Sequence, residues 1–249
     1  MDNQAKTGGV EYDGTPAGFP PGGLAVIVGA SGAIGNAIVS QLEEGNGFAE
    51  VIQFSRTGAR SMDLTSETSI AEAALHVADL GSPLRLVVDA TGFLHDADGR
   101  PEKSWRQIDP VQMAKAFAIN AIGPSLLMKH LLPLMPRAGK SVFATISAKV
   151  GSIGDNHLGG WYSYRASKAA LNQLVRTAAV ELKRRRPDAI CVALHPGTVD
   201  SRMSAPFTKV GLEVRSPAEA AEQMIRVILA LAPEDSGGFF DYRGAPLPW

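Results

Sequence analysis

The chain has 249 residues, of which 45% are hydrophobic, and its 24 Lys and Arg nearly balance its 25 Asp and Glu. So small a net charge argues against a nucleic-acid-binding protein or one that binds an anionic membrane surface. The single cysteine, Cys191, excludes an intrachain disulfide. No segment is apolar for long enough to span a membrane and the N-terminus lacks an apolar signal segment, so we expect a cytoplasmic protein.

Short apolar runs alternate with amphipathic segments along most of the chain. Residues 1–22, rich in Gly, Pro and polar side chains, predict a flexible arm ahead of a single domain, 23–249. Strands are predicted at 24–28, 50–54, 84–89, 140–147, 189–194 and 238–240, and helices at 33–44, 66–78, 110–132, 162–185 and 217–231. This alternation predicts a parallel sheet with helices on both faces, the doubly wound, Rossmann-like α/β fold.

A glycine-rich turn joins the first predicted strand to the first helix. It reads Gly29-Ala30-Ser31-Gly32-Ala33-Ile34-Gly35. Glycines let the main chain turn tightly and approach a pyrophosphate, and the N-terminus of the following helix offers free N–H groups. Ligands of such sheets bind at the carboxyl ends of the strands. The turn therefore predicts a dinucleotide site at that edge.

The end of the second strand indicates which dinucleotide binds. Proteins that use NAD place a carboxylate there, about twenty residues past the glycines, to bind the ribose 2′-hydroxyl. Here Ser55 takes that place and Arg56 follows it. A guanidinium forms charge-assisted hydrogen bonds with a 2′-phosphate, and Arg60 is positioned in sequence to assist. The segment predicts NADP(H) rather than NAD(H).

A tyrosine and a lysine four residues apart, Tyr164 and Lys168, lie at the start of the fourth predicted helix. At that spacing both side chains lie on one face of the helix. A phenol with its usual pKa near ~10 is a poor acid at neutral pH, but a nearby ammonium lowers that pKa. The pair therefore predicts a proton donor to a carbonyl oxygen. Tyr162 is a weaker candidate, because Ala166 rather than a lysine follows it by four residues.

Together these motifs resemble the short-chain dehydrogenase/reductase family, over about residues 23 to 249. The glycine pattern of the family maps onto Val28, Gly29, Ala33 and Gly35, with Val28 in place of the usual Thr. The family's later motifs are matched in order by Asp63-Leu64, Val88-Asp89-Ala90-Thr91-Gly92, Asn120 and Pro196-Gly197-Thr198. The C-terminal segments 236–240 and 247–249 look closest to the C-factor-like and carbonyl-reductase-like branch.

The resemblance implies hydride transfer between nicotinamide C4 and a small carbonyl or alcohol substrate. It implies that Tyr164 donates or accepts the proton, that Lys168 also holds the ribose hydroxyls, and that Asn120 helps to hold a proton-relaying water. Residues from seven segments are implied to contact the cofactor: Gly29, Ser31, Ala33, Ile34, Gly35, Ser55, Arg56, Asp63, Leu64, Ala90, Thr91, Gly92, Asn120, Tyr164, Lys168, Pro196, Gly197, Thr198 and Val199. No metal is expected, since the His and carboxylates of loop 95–110 match no ligand spacing.

The catalytic serine of the family is the main departure. Direct alignment places Ala148 where the family has that serine. Ser147 is the first candidate to replace it and Ser152 the second, although successive strand residues point to opposite faces. Loss of one oxyanion donor costs roughly 10²–10³ in rate. The alternative to an oxidoreductase is therefore a catalytically weak nucleotide-binding protein with a regulatory or signalling role.

Two further expectations concern partners. The loop 201–216 is predicted to close over the substrate, and its Met203, Phe207, Val210 and Leu212 favour an apolar one. Segments 110–132 and 162–185 carry apolar residues at helical spacing and alanine-rich steps that allow close helix approach. In the resembled family these two helices form a four-helix interface, which implies a homodimer or homotetramer.

Overall fold

The structure is a computed structural model that describes residues 18–97, 99–207, 211 and 213–249. Its strands are β1 (Leu24–Val28), β2 (Glu50–Phe54), β3 (Leu84–Asp89), β4 (Ser141–Ile146), β5 (Ala189–His195), β6 (Thr198–Val199), β7 (Val214–Arg215) and β8 (Phe239–Asp241). Six of them form one parallel sheet in the order β2-β1-β3-β4-β5-β8, while β6 and β7 pair separately. The order reverses between β1 and β3, which is where such sheets bind ligands.

Helices cover both faces of this sheet. They are α1 (Ala33–Glu44), α2 (Glu67–Asp79), α3 (Pro110–Phe117), α4 (Gly123–Leu131), α5 (Tyr162–Lys183) and α6 (Pro217–Ala230). The first and last pack in one apolar cluster, and α2, α4 and α5 pack in the other. The predicted doubly wound, Rossmann-like α/β fold is confirmed.

The central strands are continuous apolar runs because both of their faces are covered. All five residues of β1 are buried, and so are all six of β3 and of β4. Val26 and its alternate neighbours lie in the cluster with α2, α4 and α5, whereas Ile27 lies in the cluster with α1 and α6. Two-residue periodicity thus divides one strand between two cores.

The helices differ in how their N-termini are capped. Ser66, Asp109 and Ser216 accept main-chain N–H bonds at the starts of α2, α3 and α6. The residues that precede α1 and α5, Gly32 and Trp161, make no such side-chain bond. These two helices follow β1 and β4, so both begin at the carboxyl edge of the sheet.

Three features differ from the sequence expectations. The helix predicted at 110–132 is interrupted by a π turn, Ala118–Ile122, between α3 and α4. The pairing of β6 with β7 was not predicted. The folded region also begins before residue 23, because Phe19 is 6% exposed and packs on Phe48 with 5.5 Å between ring centroids. The rest of the predicted arm, residues 1–17, lies outside the described residues.

Within the described part of the chain, no helix combines the length and the apolar character needed to cross a membrane.

Candidate active site

In the glycine turn after β1, the main chain at Gly35 passes very close to the main chain at Gly29. Gly29 has a φ of 82°, in the region that favours glycine, and its N–H donates to Phe54 O at 2.8 Å. A Cβ on Gly35 would lie 2.3 Å from Gly29 O. Ser31, Ala33 and Ile34 complete the turn, and α1 starts there without a side-chain cap. Uncapped N–H groups at a helix N-terminus suit an anionic group such as a pyrophosphate.

The loop after β2 contributes two of the predicted cofactor residues. Ser55 is buried, whereas Arg56 is exposed. The Asp63 carboxylate accepts hydrogen bonds from the Thr65 hydroxyl and N–H. Those bonds lower the pKa of Asp63, and the charge of Arg56 adds to the effect. The charges of Arg56 and Asp63 therefore interact, and their contact with a nucleotide stays a prediction.

Arg60 does not take the assisting position that the sequence suggested. Its guanidinium pairs with Glu50 at 3.3 Å. Glu50 is the first residue of β2, so the Arg60 side chain runs toward the amino end of the strand. Arg56 is left as the cation at the carboxyl end of β2.

Asp89, the last residue of β3, joins two strand ends. It is fully buried, and one of its oxygens accepts from Thr91 N at 3.0 Å and from Thr91 Oγ1 at 2.5 Å. The other accepts from Thr145 Oγ1 at 2.7 Å. These bonds shape the Ala90-Thr91-Gly92 segment. The bond from β4 could not be predicted from the sequence, since Thr145 is 56 residues away.

Lys168 and Tyr164 lie on adjacent turns of α5 at the end of β4. The Lys168 ammonium is 2% exposed and donates to Ile146 O at 2.7 Å. Burial lowers the pKa of Lys168 to about 8, and the charge of Asp89 opposes that shift. Burial also raises the pKa of Tyr164 to about 12.

The expected lowering of the Tyr164 pKa is therefore not observed. The Lys168 ammonium lies 6.0 Å from the centroid of the Tyr164 ring and makes its hydrogen bond to the strand end. Desolvation disfavours the phenolate, and in this arrangement it outweighs the distant ammonium. Tyr164 is consequently a protonated phenol throughout the neutral range.

Asn120 lies in the π turn and links three elements. Its Oδ1 accepts from Phe93 N at 2.7 Å, and its Nδ2 donates to Phe93 O at 2.7 Å and to Ser167 Oγ at 3.0 Å. The amide holds the loop after β3 against α5, beside Lys168. A π turn within a helix is frequently found at functional sites. The water-holding role of Asn120 stays a prediction.

The two serine candidates are both engaged elsewhere. Ser147 Oγ donates to Asn172 Oδ1 at 2.6 Å, and Ser152 Oγ accepts from Asp155 N at 3.1 Å. Asn172 is eight residues after Tyr164, about 12 Å farther along the helix axis. Ala148, where the family has its serine, carries no hydroxyl. The hydrogen bonds described for these two hydroxyls thus involve Asn172 and Asp155, and the catalytic role of either serine stays a prediction.

The Pro196-Gly197-Thr198-Val199 segment leaves β5 in a tight turn. Gly197 has a φ of 78°, and a Cβ there would lie 2.7 Å from Arg215 Nη1. The guanidinium of Arg215 in turn stacks 3.6 Å above the Tyr242 ring. With the β6–β7 pair, this packing fixes both ends of the loop that the sequence predicts to cover the substrate.

That loop meets an aromatic wall beside Tyr164. The ring centroids are 5.4 Å apart for His95 and Phe207, 5.0 Å for Phe207 and Trp161, and 6.1 Å for Trp161 and Tyr164. His95 Nε2 also lies 3.0 Å from Met203 O. Val210 and Leu212 lie outside the described residues. Sequence reasoning missed His95 and Trp161, because only the fold brings them to the loop.

Gly92 marks where these groups converge. A Cβ placed on it would lie 3.3 Å from Met203 Cε, 3.8 Å from Asn120 Oδ1 and 3.9 Å from Lys168 Nζ. The bare glycine therefore leaves the main chain open toward the lysine and the covering loop. Among the described residues, no three His, Cys, Asp or Glu side chains are grouped so as to hold a metal.

A doubly wound parallel sheet with a glycine turn, a Tyr–Lys pair and an aromatic wall at one edge defines a dinucleotide-binding oxidoreductase fold. Residues 29–237 match a family model described as Enoyl-(Acyl carrier protein) reductase. The chain belongs to the short-chain dehydrogenase/reductase family, as its motifs indicated.

Curated relatives agree with this assignment. C-signal of Myxococcus xanthus is 40% identical over 144 residues, which cover 57% of this chain and 81% of that protein. The 1-hydroxy-2-glutathionyl-2-methyl-3-butene dehydrogenase of Rhodococcus sp. (strain AD45) is 29% identical over 235 residues, 90% of this chain and 98% of that one.

Among solved structures, the NADPH-bound carbonyl reductase from chicken fatty liver superposes with a TM-score of 0.81 and 26% identity, over 92% of this chain and all of that one. A short-chain dehydrogenase/reductase of Burkholderia multivorans with bound NADP has a TM-score of 0.77 at 24% identity, over 92% of this chain and 100% of that one. The second likeness supports the fold alone.

Proposed function

We propose that this protein is an NADP(H)-dependent oxidoreductase that acts on a small carbonyl or alcohol substrate, with Tyr164 as the proton donor or acceptor. The observation that carries the proposal is the placement of Tyr164 and Lys168 at the sheet edge that also holds the glycine turn. When bound, the nicotinamide supplies or takes up the hydride.

The residues present fit such a cofactor. The crossing of Gly29 and Gly35 leaves no room for a side chain, and α1 begins there without a cap. The bare main chain of Gly92 faces Lys168 Nζ and Asn120 Oδ1. The remaining residues expected to contact the cofactor, which lie in the loops after β2, β3 and β5, belong to the same edge.

NADP(H) is favoured over NAD(H) by charge. Ser55 stands where a carboxylate would repel a 2′-phosphate, and Arg56 is exposed beside it. A guanidinium recognises a phosphate through paired, charge-assisted hydrogen bonds. The chicken carbonyl reductase, which is NADPH-bound, supports the same choice.

The proton chemistry follows from the two pKa shifts. With a pKa of about 12, Tyr164 keeps its proton at neutral pH and is ready to donate it to a carbonyl oxygen that becomes an alkoxide. Lys168, with a pKa of about 8, is mostly charged at pH 7 and stabilises the phenolate that remains. The wall of His95, Phe207 and Trp161 offers an aromatic surface beside that transfer and favours an apolar substrate.

A panel of carbonyl compounds with NADPH tests the proposal. Acetophenone and cyclohexyl methyl ketone form a matched pair, since they differ only in the aromaticity of the ring. We expect NADPH oxidation with at least one panel member and a higher kcat/KM for the aryl ketone. Binding of NADPH without turnover of any carbonyl or alcohol would refute the oxidoreductase.

A second candidate is a nucleotide-binding protein with a regulatory or signalling role and weak turnover. Ala148 lacks the hydroxyl that the family uses, and Ser147 is bonded to Asn172 rather than to the site. The similarity to C-signal is consistent with a role of this kind. Tight cofactor binding without turnover in the panel above would favour this candidate.

We also propose a homodimer or homotetramer formed through α3, α4 and α5. Apolar side chains are exposed along these helices and the π turn between α3 and α4: Val111 at 78%, Ile122 at 54% and Val180 at 48%. Identical patches favour a twofold pairing. Light scattering at micromolar concentration should give at least the dimer mass, and Val180→Asp should lower it. Leu75→Asp, on the exposed side of α2, should leave it unchanged; a monomeric wild type would refute the assembly.

A further inference from the structure

The helix that carries Tyr164 begins in an unusual way. Trp161, the residue before α5, has a φ of 52° and a ψ of 43° and forms no side-chain cap. A left-handed conformation is costly for a bulky residue and persists only where the surroundings impose it. The first N–H groups of a helix also need partners from outside the helix. Some other part of the chain must therefore hold this turn.

Glu102, in a loop about sixty residues upstream, both holds Trp161 in its left-handed conformation and provides a hydrogen-bond partner for the first turn of α5. Its carboxylate accepts from Ser163 N at 3.2 and 3.3 Å and from the Ser163 hydroxyl. Its main-chain carbonyl accepts from Trp161 N at 2.5 Å. One residue thus binds the chain on both sides of Tyr162, immediately before Tyr164.

Glu102 and its main-chain bonds to Trp161 and Ser163, called the clasp below, are buried within the fold. Glu102 is 3% exposed and Ser163 is equally buried. Gly160 has a φ of 66°, and a Cβ there would lie 3.3 Å from Glu102 O. Arg165 also stabilises the segment that leads into α5, because it donates to Gly160 O at 3.0 Å and to Val150 O at 3.1 Å.

A carboxylate suits this position for electrostatic reasons. The N-terminus of a helix carries a partial positive charge, and an anion there is stabilised by the dipole and by main-chain N–H bonds. A buried carboxylate without such partners would cost several kcal/mol. The turn and the carboxylate therefore stabilise each other.

We propose that Glu102 is a positioning residue that holds the first turn of α5 in the geometry used for proton transfer. Tyr164 and the Trp161 ring of the aromatic wall are held in place with that turn. The inference rests on the proposed oxidoreductase function. It assigns Glu102 no contact with substrate or cofactor. A small displacement of the phenol is enough to slow the transfer, because catalysis depends steeply on orientation.

Two variants separate the clasp from the hydroxyl that also contacts it. Glu102→Gln removes the charge and one of the acceptor oxygens while keeping the shape of the side chain. Ser163→Ala keeps the carboxylate and the main-chain bond and removes only the hydroxyl. We expect kcat to fall about tenfold or more in Glu102→Gln and by less than about threefold in Ser163→Ala. The Kd for NADPH should stay within about twofold of wild type in both, because the nucleotide loops are untouched.

A measurement that needs no turnover completes the test. Native-state hydrogen exchange should be faster at the Ser163 amide in Glu102→Gln than in wild type, and should stay close to wild type in Ser163→Ala. A wild-type kcat and wild-type exchange in Glu102→Gln would overturn the proposal, as would equal losses of kcat and NADPH affinity.

The two proposals can fail separately. A wild-type protein that binds NADPH but turns over nothing refutes the oxidoreductase, and the exchange rates at Ser163 then decide whether Glu102 holds the turn. Wild-type turnover with no change in Glu102→Gln refutes the positioning role alone.

Discussion

Two regions lie at the same edge of the sheet and are held together by different kinds of contact. One is the glycine turn, and the other, called the corner below, is the start of α5 with Tyr164 and Lys168, together with Asn120 and the strand ends that they contact. The turn is main chain against main chain, with Gly35 so close to Gly29 O that one added carbon would lie 2.3 Å away. The corner is side chain against main chain, as in the bonds from Lys168 to Ile146 O and from Asn120 to Phe93. A close approach of two main-chain segments tolerates an added side chain poorly, whereas a site built from side chains can lose a hydroxyl and keep its fold. Binding and rate are therefore expected to respond to different mutations.

The largest effect should come from the corner. Tyr164→Phe removes only the transferable proton, so we expect kcat to fall by about 10²–10⁴ or below detection while NADPH still binds. Stopped-flow turnover and a fluorescence titration of NADPH measure the two quantities. Tyr162→Phe is the matched control and should retain activity. A wild-type rate in Tyr164→Phe would sink the assignment of the proton donor.

The variant Ala148→Ser tests whether the site around Tyr164 lacks a hydroxyl that would donate a hydrogen bond to the substrate oxygen. If the family's hydroxyl is missing at this position, its return should raise kcat by as much as about 10²–10³ without changing NADPH affinity. Ser147→Ala in the same background shows whether Ser147 had replaced it. Activity that is unchanged in Ala148→Ser and lost in Ser147→Ala would make Ser147 the working serine.

Arg56→Ala tests the nucleotide side. We expect NADPH to bind less tightly by about 1.5–3 kcal/mol, the size of a hydrogen bond to a charged group, with little change for NADH. Arg60→Ala is the control, because Arg60 pairs with Glu50 at the far end of the strand. Calorimetric titration with both nucleotides decides; an equal loss for both would mean that Arg56 does not read the 2′-phosphate.

Gly35→Ala tests the main-chain crossing itself. An added methyl group at this close-packed site must displace the turn, at a cost of about 1–3 kcal/mol. Because the proposed pyrophosphate site is formed by the undisplaced turn, restoring it on binding should lower NADPH affinity by about tenfold or more. Gly32→Ala is a graded control, since its Cβ would lie 3.2 Å from the same oxygen, and its effect should be smaller. Thermal melts of both variants separate loss of binding from loss of fold, and equal affinities would contradict the crossing argument.

The features that could be predicted from the sequence are those that a local pattern of residues determines. The bounds of β1, α1, β2 and β3 are identical to those expected, because buried apolar runs and helical spacing are properties of the chain itself. The glycine turn was found for the same reason, since a crossing of that kind requires glycine at fixed offsets.

What the sequence did not reveal depends on partners distant in the chain. The turn of Arg60 toward Glu50, the bond from Ser147 to Asn172 and the clasp of Glu102 on Ser163 are side-chain choices made by tertiary contacts. The Tyr164 pKa was expected to fall and instead rises, because spacing shows the ammonium but not the depth of burial.

The π turn Ala118–Ile122 has a consequence for anyone who aligns or redesigns this chain. It closes bonds over five residues rather than four, so it holds one residue that a continuous α-helix would not need. A one-residue deletion after Asn120 would therefore let α3 and α4 join as one continuous α-helix, with Leu127 and Met128 still facing the core. It would remove the widened turn in which the Asn120 amide bonds to Phe93 and Ser167. Length at this point is as much a part of the site as the identity of its residues.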